Sequence, residues 1–184
     1  MSACAIAGLA LAHAVPCKAD VENLLANGTF TADLSGWQTP GAGAWAPFDF
    51  DAAPGSGSAY GSNANAGANT RPVALRQCVP ITQRGEYLLG ASAYVAATPV
   101  HGSLVAGAIA HVSTDCSGGG NSMGFFMPSV GAWQSYSGGI YHGFIPGSME
   151  VVLSVDKTDA GQSYAGYFDT VYLIDDTLFI GDFE

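Results

Sequence analysis

The sequence predicts an all-β chain, a jelly-roll β-sandwich of two antiparallel sheets. Three observations predict it. Charged residues make up only 11% of the chain while glycine occurs 25 times, a composition suited to short strands joined by small-residue turns. About eight to ten apolar or alternating runs follow one another at strand length, separated by turn residues. No stretch carries a convincing amphipathic-helix pattern, a heptad or an internal repeat.

At 184 residues the chain suits one domain plus a leader, and its 48% hydrophobic content is enough for a sizeable core. Cys4 to Val15 is a small-residue and apolar run. Ala12-His13-Ala14 and Cys17-Lys18-Ala19 both read as cleavage sites, so residues 1–19 are expected to be a signal peptide. The run is too short to span a bilayer, and no transmembrane segment is expected. The alternative is a first buried strand or helix. A lipid anchor at Cys17 would need a better lipobox than Ala14-Val15-Pro16.

The next stretch, Asn23 to Trp37, holds an Asn27-Gly28 turn that favours positive φ. Leu24 and Leu25 precede the turn, and Phe30 and Leu34 follow it. Trp37 is expected to anchor the core. Residues 39–43 read as a loop and Trp45 to Asp51 as a half-buried strand. Ala53 to Asn69 reads as a low-complexity loop with one short strand near Ser58–Ser62.

Val73 to Ile81 is a strand whose end Pro80 assigns to a sheet edge. Glu86 to Ala97 is a long strand, with Ser103 to Ser113 as its expected hairpin partner. A Gly-rich loop covers Asp115 to Ser122. Strands follow at Gly124–Met127, Trp133–Tyr141, Met149–Val155 and Ala165–Ile174.

Charge excludes one class of partner. The net charge is −10, with five basic residues in all. A nucleic-acid binder needs clustered Lys and Arg to neutralise phosphate, so no nucleic-acid partner is expected. Neutral glycans and cations such as calcium remain compatible. Of four cysteines, Cys4 and Cys17 fall in the leader. Cys78 and Cys116 are left as an even pair, which an oxidising compartment would join as a disulfide.

Several of these segments together resemble a known family. Asn23-Leu24-Leu25-Ala26-Asn27-Gly28-Thr29-Phe30-Thr31, followed by Gly36-Trp37, is similar to the N-L-x-x-N-G-x-F-E…G-W signature of the cellulase-C-like and xylan-binding carbohydrate-binding modules. Gln77-Cys78-Val79-Pro80-Ile81 with Gly85-Glu86-Tyr87 resembles that family's Q-x-V-x-V-x-x-G-x-Y strand pair. Phe168-Asp169-Thr170-Val171-Tyr172-Leu173 resembles its closing F-D-D-V-x-L strand. The resemblance implies a galactose-binding-like sandwich over residues 20–174. The last ten residues, 175–184, form an acidic tail or edge strand similar to the short I-F-x-x-G-F-E ending of some secreted bacterial proteins.

What the family implies about sites is specific. Its modules hold a structural calcium where the first strand meets the last. Asp169 matches the family's aspartate, and Thr31 stands where it has glutamate. The implied oxygens are therefore Asp169, Thr29 and Thr31, and structural Ca2+ is the implied cofactor. Asp169 as a simple partner of the neighbouring turn is the plain alternative.

Sugars stack C–H faces on aromatic rings and offer hydroxyls to Asn, Gln, Asp and Arg. Trp45, Tyr60, Tyr94, Phe126, Trp133, Tyr136 and Tyr141 are candidate platforms, of which Trp45, Tyr60 and Trp133 beside polar loops are preferred, with Asn63, Asn65, Arg71 and Gln134 as polar partners; placement in the core is the plain alternative for each ring. Catalysis has no support: there is no H-E-x-x-H, and the G-x-S-x-G spacing of Gly120-Asn121-Ser122-Met123-Gly124 runs out of a Gly-rich loop with no helix pattern after it, so it is not a nucleophile elbow. The sequence therefore points to a non-catalytic, secreted or cell-surface protein, bacterial extracellular or periplasmic, that binds a polysaccharide or cell-surface glycan. The alternative is an extracellular structural or adhesion domain without a sugar site. Neither the oligomeric state nor the sugar is written in these patterns.

Overall fold

The computed structural model describes residues 22–82, 85–96, 102–128, 131–141 and 146–175. The expected signal peptide and the tail beyond Asp175 lie outside the described residues. Nine strands run in chain order: β1 (Ala42–Ala46), β2 (Ser58–Asn63), β3 (Val73–Pro80), β4 (Glu86–Tyr94), β5 (Gly102–His111), β6 (Gly120–Met127), β7 (Gln134–Tyr141), β8 (Ser148–Lys157) and β9 (Tyr164–Asp175).

They form two antiparallel sheets, one of five strands in the order β1-β2-β9-β4-β7 and one of four in the order β3-β8-β5-β6. The architecture is the sandwich that the sequence predicts. Alternation explains the pairing of the sheets. Leu89, Ala91 and Ala93 of β4 and Phe168, Val171 and Leu173 of β9 bury their side chains from one sheet. Leu104, Ala106 and Ala108 of β5 and Met149, Val151, Leu153 and Val155 of β8 meet them from the other. A fully buried side chain such as Phe168 contributes roughly 2–3 kcal/mol by leaving water.

The stretch from Asn23 to Trp37 ties the two sheets together along one side. Asn23 Nδ2 donates to the Val171 carbonyl (3.0 Å), and its Oδ1 accepts from the Leu173 N–H (3.0 Å). On the other sheet, the Ala26 N–H donates to Gln77 Oε1 (2.7 Å) and Gln77 Nε2 donates back to the Ala26 carbonyl (2.9 Å). Asn27 adopts φ 49°. Its side-chain amide donates to the Asp33 carbonyl (2.9 Å), so the turn itself uses this asparagine. Gly28 is required because a Cβ there would collide with the Val171 carbonyl oxygen. Phe30 is fully buried and Trp37 nearly so, their rings 5.5 Å apart.

Four expectations about elements need correction. The strand expected from Trp45 to Asp51 lies earlier, at Ala42–Ala46. Pro47 lacks an N–H, Asp49 turns back to accept the Ala53 N–H, and Ala52 sits at φ 54°, so the chain leaves the sheet there. The loop expected at 39–43 is shortened by the same shift. β4 and β5 are not a hairpin: β4 pairs with β7 and β9, and β5 with β6 and β8. Both strands have an apolar inner face, and they oppose each other across the core instead of sharing a sheet. Finally, β6 begins at Gly120 rather than Gly124, which shortens the Gly-rich loop. The short strand near residue 58 is present, and β3, which ends at Pro80, is a sheet edge.

The expected disulfide is present. Cys78 and Cys116 are joined, with Cα atoms 5.9 Å apart. It fastens edge strand β3 to the loop that leads into β6.

Candidate functional site

Tyr60 on β2, Tyr167 on β9 and Tyr94 on β4 are register partners across three adjacent strands. Trp133 continues the row immediately before β7. These side chains point away from the core, because their neighbours Ala59, Phe168 and Ala93 point into it. The row therefore lies on the outer face of the five-stranded sheet.

The segment after β1 lays two more rings on this row. Phe48 stacks on Trp133 (centroids 5.4 Å, planes 21° apart) and meets Tyr94 and Tyr167 at 4.8 Å each. Phe50 meets Trp133 edge-on at 5.8 Å. Phe48 is 37% exposed, and the buried Trp133 Nε1 has no hydrogen-bond partner. A hydroxyl strip lies beside the rings. Ser92 and Ser135 hydroxyls are 2.9 Å apart, and Thr170 Oγ1 donates to Ser92 Oγ at 2.6 Å.

An acid pair anchors the Phe48 segment. Asp169 Oδ2 accepts the Phe50 N–H (3.0 Å) and its Oδ1 accepts the Thr170 N–H (2.6 Å). Burial raises the Asp169 carboxyl to about 6, offset by those two hydrogen bonds and reinforced by the charges of Asp49 and Asp51. Asp49 is pushed up by its own burial, but hydrogen bonds from Ala53 and Ser56 and with Asp169 carry it below its ordinary value. The two carboxyls thus divide the roles: Asp169 takes the proton first and Asp49 keeps the charge.

Calcium takes six to eight oxygen ligands. The acid pair has the right charge for a cation, and the rest of a calcium shell would come from backbone carbonyls and water. Asp169 already accepts two backbone N–H groups. The Thr29 and Thr31 hydroxyls are exposed and hydrogen-bonded to each other at 3.2 Å. Among the described residues, no three His, Cys, Asp or Glu side chains gather where a metal would sit.

The structure separates the other expected site residues. Tyr60 and Trp133 share the aromatic row. Trp45 does not join it: it pairs with Ala59, packs on the core side and donates Nε1 to the Phe30 carbonyl (2.7 Å). Asn63 is buried, with its amide donating to the Thr70 and Val155 carbonyls at 2.8 and 3.0 Å. Gln134 accepts from the Tyr136 hydroxyl on the edge strand. Arg71 lies on the other sheet, bound to Asp156. Sequence reasoning omitted Tyr167, Phe48 and Phe50. The alternation of Tyr167 against the core residue Phe168 was the available signal for the first; no periodic signal marks the other two.

This architecture is a β-sandwich with the fold of solved carbohydrate-binding modules. A family 61 module solved with β-1,4-galactotriose superposes with TM-score 0.57 at 20% identity, over 84% of this chain and 99% of that one. A xylan-binding family 22 module from Paenibacillus barcinonensis gives 0.57 at 14%, over 84% and 95%. The enzymatically active domain of tailspike protein 4 from bacteriophage CBA120 gives 0.61 at 14%, and there the match covers 82% of this chain but 21% of that one. No family model and no curated protein matches the sequence. Among the described residues, no helix is long and apolar enough to cross a membrane.

Proposed function

We propose that the chain is a non-catalytic carbohydrate-binding protein, acting outside the cytoplasm, whose glycan site is the outer face of the five-stranded sheet. The observation that carries this is the row Tyr60–Tyr167–Tyr94–Trp133, built outside the core and joined by Phe48. Rings in such a row offer flat apolar faces to sugar C–H groups, and the Ser135 and Thr170 hydroxyls, braced by the buried Ser92, offer donors and acceptors to sugar hydroxyls. Phe48 covers Trp133, so the bound sugar would rest on Phe48 or replace it on the indole. The disulfide supports an oxidising, extracellular setting. The ligands named for the similar modules, β-1,4-galactotriose and xylohexaose, are the first probes to use.

Structural calcium belongs to the same proposal, with Asp169 as a carboxylate ligand, Asp49 as a second carboxylate beside it, and the backbone carbonyls of Thr29 and Thr31 as further oxygens. A melting temperature that rises with calcium and returns on chelation supports it, and one indifferent to both counts against it. The binding reading is tested by a panel of neutral polysaccharides in affinity electrophoresis. Trp133→Ala and Tyr94→Ala should each weaken retardation by at least one polysaccharide while the far-ultraviolet circular dichroism stays unchanged. Full binding by both variants would remove the site from this face, and no retardation of the wild type by any polysaccharide would favour the rival, an extracellular structural or adhesion domain without sugar binding.

A further inference from the structure

The opposite face of the sandwich carries a groove. On the outer side of the four-stranded sheet, Arg76, Val152, Gly107 and Gly124 are successive register partners from β3 across β8 and β5 to β6. The two glycines leave the row without side chains at its outer end, and a Cβ on Gly124 would press on the Ala106 carbonyl oxygen and the Gly107 Cα. This row is the floor of the groove.

The next row, Ser154–Val105–Phe126, forms one bank. Phe126 is 53% exposed, and the Arg71 guanidinium stands 4.7 Å from its ring centre, held by Asp156 at 2.9 Å. On the other bank Glu150 receives Arg76 at 3.2 Å. Arg71 and Arg76 are each nearly half exposed, at 46% and 44% of their side-chain surface, while both acids are mostly covered.

From these features we infer a second glycan-binding site, independent of the aromatic row. Its ligand is a neutral polysaccharide lying across the strands, with one sugar ring against Phe126. The charges favour a neutral ligand. Each guanidinium already has its carboxylate, so neither needs an anion, and the whole chain at −10 repels one. What the Arg–acid pairs still offer is a fork of N–H donors beside carboxylate acceptors, which matches neighbouring sugar hydroxyls. Phe126 does not stand alone: Met123 is 41% exposed, and both line one groove with Val105, Ile109 and Val152, a contiguous apolar patch with the polar rim of a binding surface.

The test is affinity electrophoresis of the full chain against xylan, galactan, mannan and mixed-linkage β-glucan, comparing wild type, Phe126→Ala and Trp133→Ala. Phe126 is exposed enough to remove without loss of the core, and an unchanged melting temperature checks this. Arg71→Met serves as a second variant that keeps the ring. The expected result is at least one polysaccharide whose apparent affinity falls about tenfold in Phe126→Ala, falls in Arg71→Met, and survives in Trp133→Ala. Wild-type retardation in Phe126→Ala for every polysaccharide would overturn this site and leave the aromatic row standing. Loss in Phe126→Ala with none in Trp133→Ala for any polysaccharide would keep this site and overturn the other. No retardation of wild type by any of them overturns both.

Discussion

Reduction of the Cys78–Cys116 disulfide should cost the protein roughly 3 kcal/mol. The cysteines are separated by 38 residues, and closing a loop of that size removes chain entropy worth about 4 kcal/mol from the unfolded state at room temperature. Two features of the native loop bear on the magnitude. Cys116 sits at φ 57°, a conformation that costs a non-glycine residue about 1 kcal/mol and that the open chain can abandon. Working the other way, the Cys116 N–H donates to Ser148 Oγ (3.0 Å) and Ser148 Oγ donates to the Ser113 carbonyl (2.7 Å), so β8 retains the loop after the bond is cut. The fold should survive with its stability lowered.

The assay is urea unfolding of wild type against the Cys78→Ser/Cys116→Ser double variant, with peptide mapping under non-reducing conditions to establish the linkage. A loss of 3 kcal/mol corresponds to a fall of about 10 °C in melting temperature for a domain of this size. A loss under 1 kcal/mol would refute the unfolded-state argument. Separate, unlinked Cys78 and Cys116 peptides would refute the bond itself and remove the main support for an oxidising compartment.

The acid pair predicts a pH dependence. The Asp169 carboxyl is raised from 3.8 to about 6 in the folded state, so the native protein holds the extra proton between those values and stability, measured in chelator, should fall by roughly 2 kcal/mol as pH rises through that window; a flat profile from pH 4 to 7 would contradict it. Lys157 is almost fully buried and donates Nζ to the Asn65 and Gln162 carbonyls, fastening two loops. Lys157→Met should leave both carbonyls without that donor and cost about 2 kcal/mol in urea unfolding. Asn23→Ala should cost a similar amount, because one side chain satisfies the Val171 carbonyl and the Leu173 N–H of β9. A change under 0.5 kcal/mol would mean that water replaces it.

Much of the fold was legible because strand chemistry is local. Alternation in β4, β8 and β9 marks their buried faces, and Pro80 marks an edge because it cannot donate to a ladder. Partnership is not local. Whether β4 pairs with β5 or faces it depends on which inner surfaces must meet, and the two strands carry equally good apolar faces. The same limit displaced the first strand. Phe48-Asp49-Phe50-Asp51 alternates in sequence, but Pro47, the Asp49 side chain and Ala52 take this segment out of the ladder.

The candidate sites divide along the same line. Aromatic residues are easy to count, and the two-residue period then decides which of them are platforms. Trp45 and Tyr60 look alike in sequence as rings beside a polar loop. Once Ala59 is fixed in the core, Trp45, its register partner, must turn inward and Tyr60 must turn out. Arg71 illustrates the other half. Its residue type fitted a polar partner for a sugar, but nothing local says that it stands over Phe126 on the far sheet, a contact made across 55 residues by the folding of β6 onto β5. Residue type therefore narrows the chemistry available to this chain, while register decides which residues can act together. Two faces that look like one scattered set of aromatics and polar groups in the sequence become separate surfaces on opposite sides of one core.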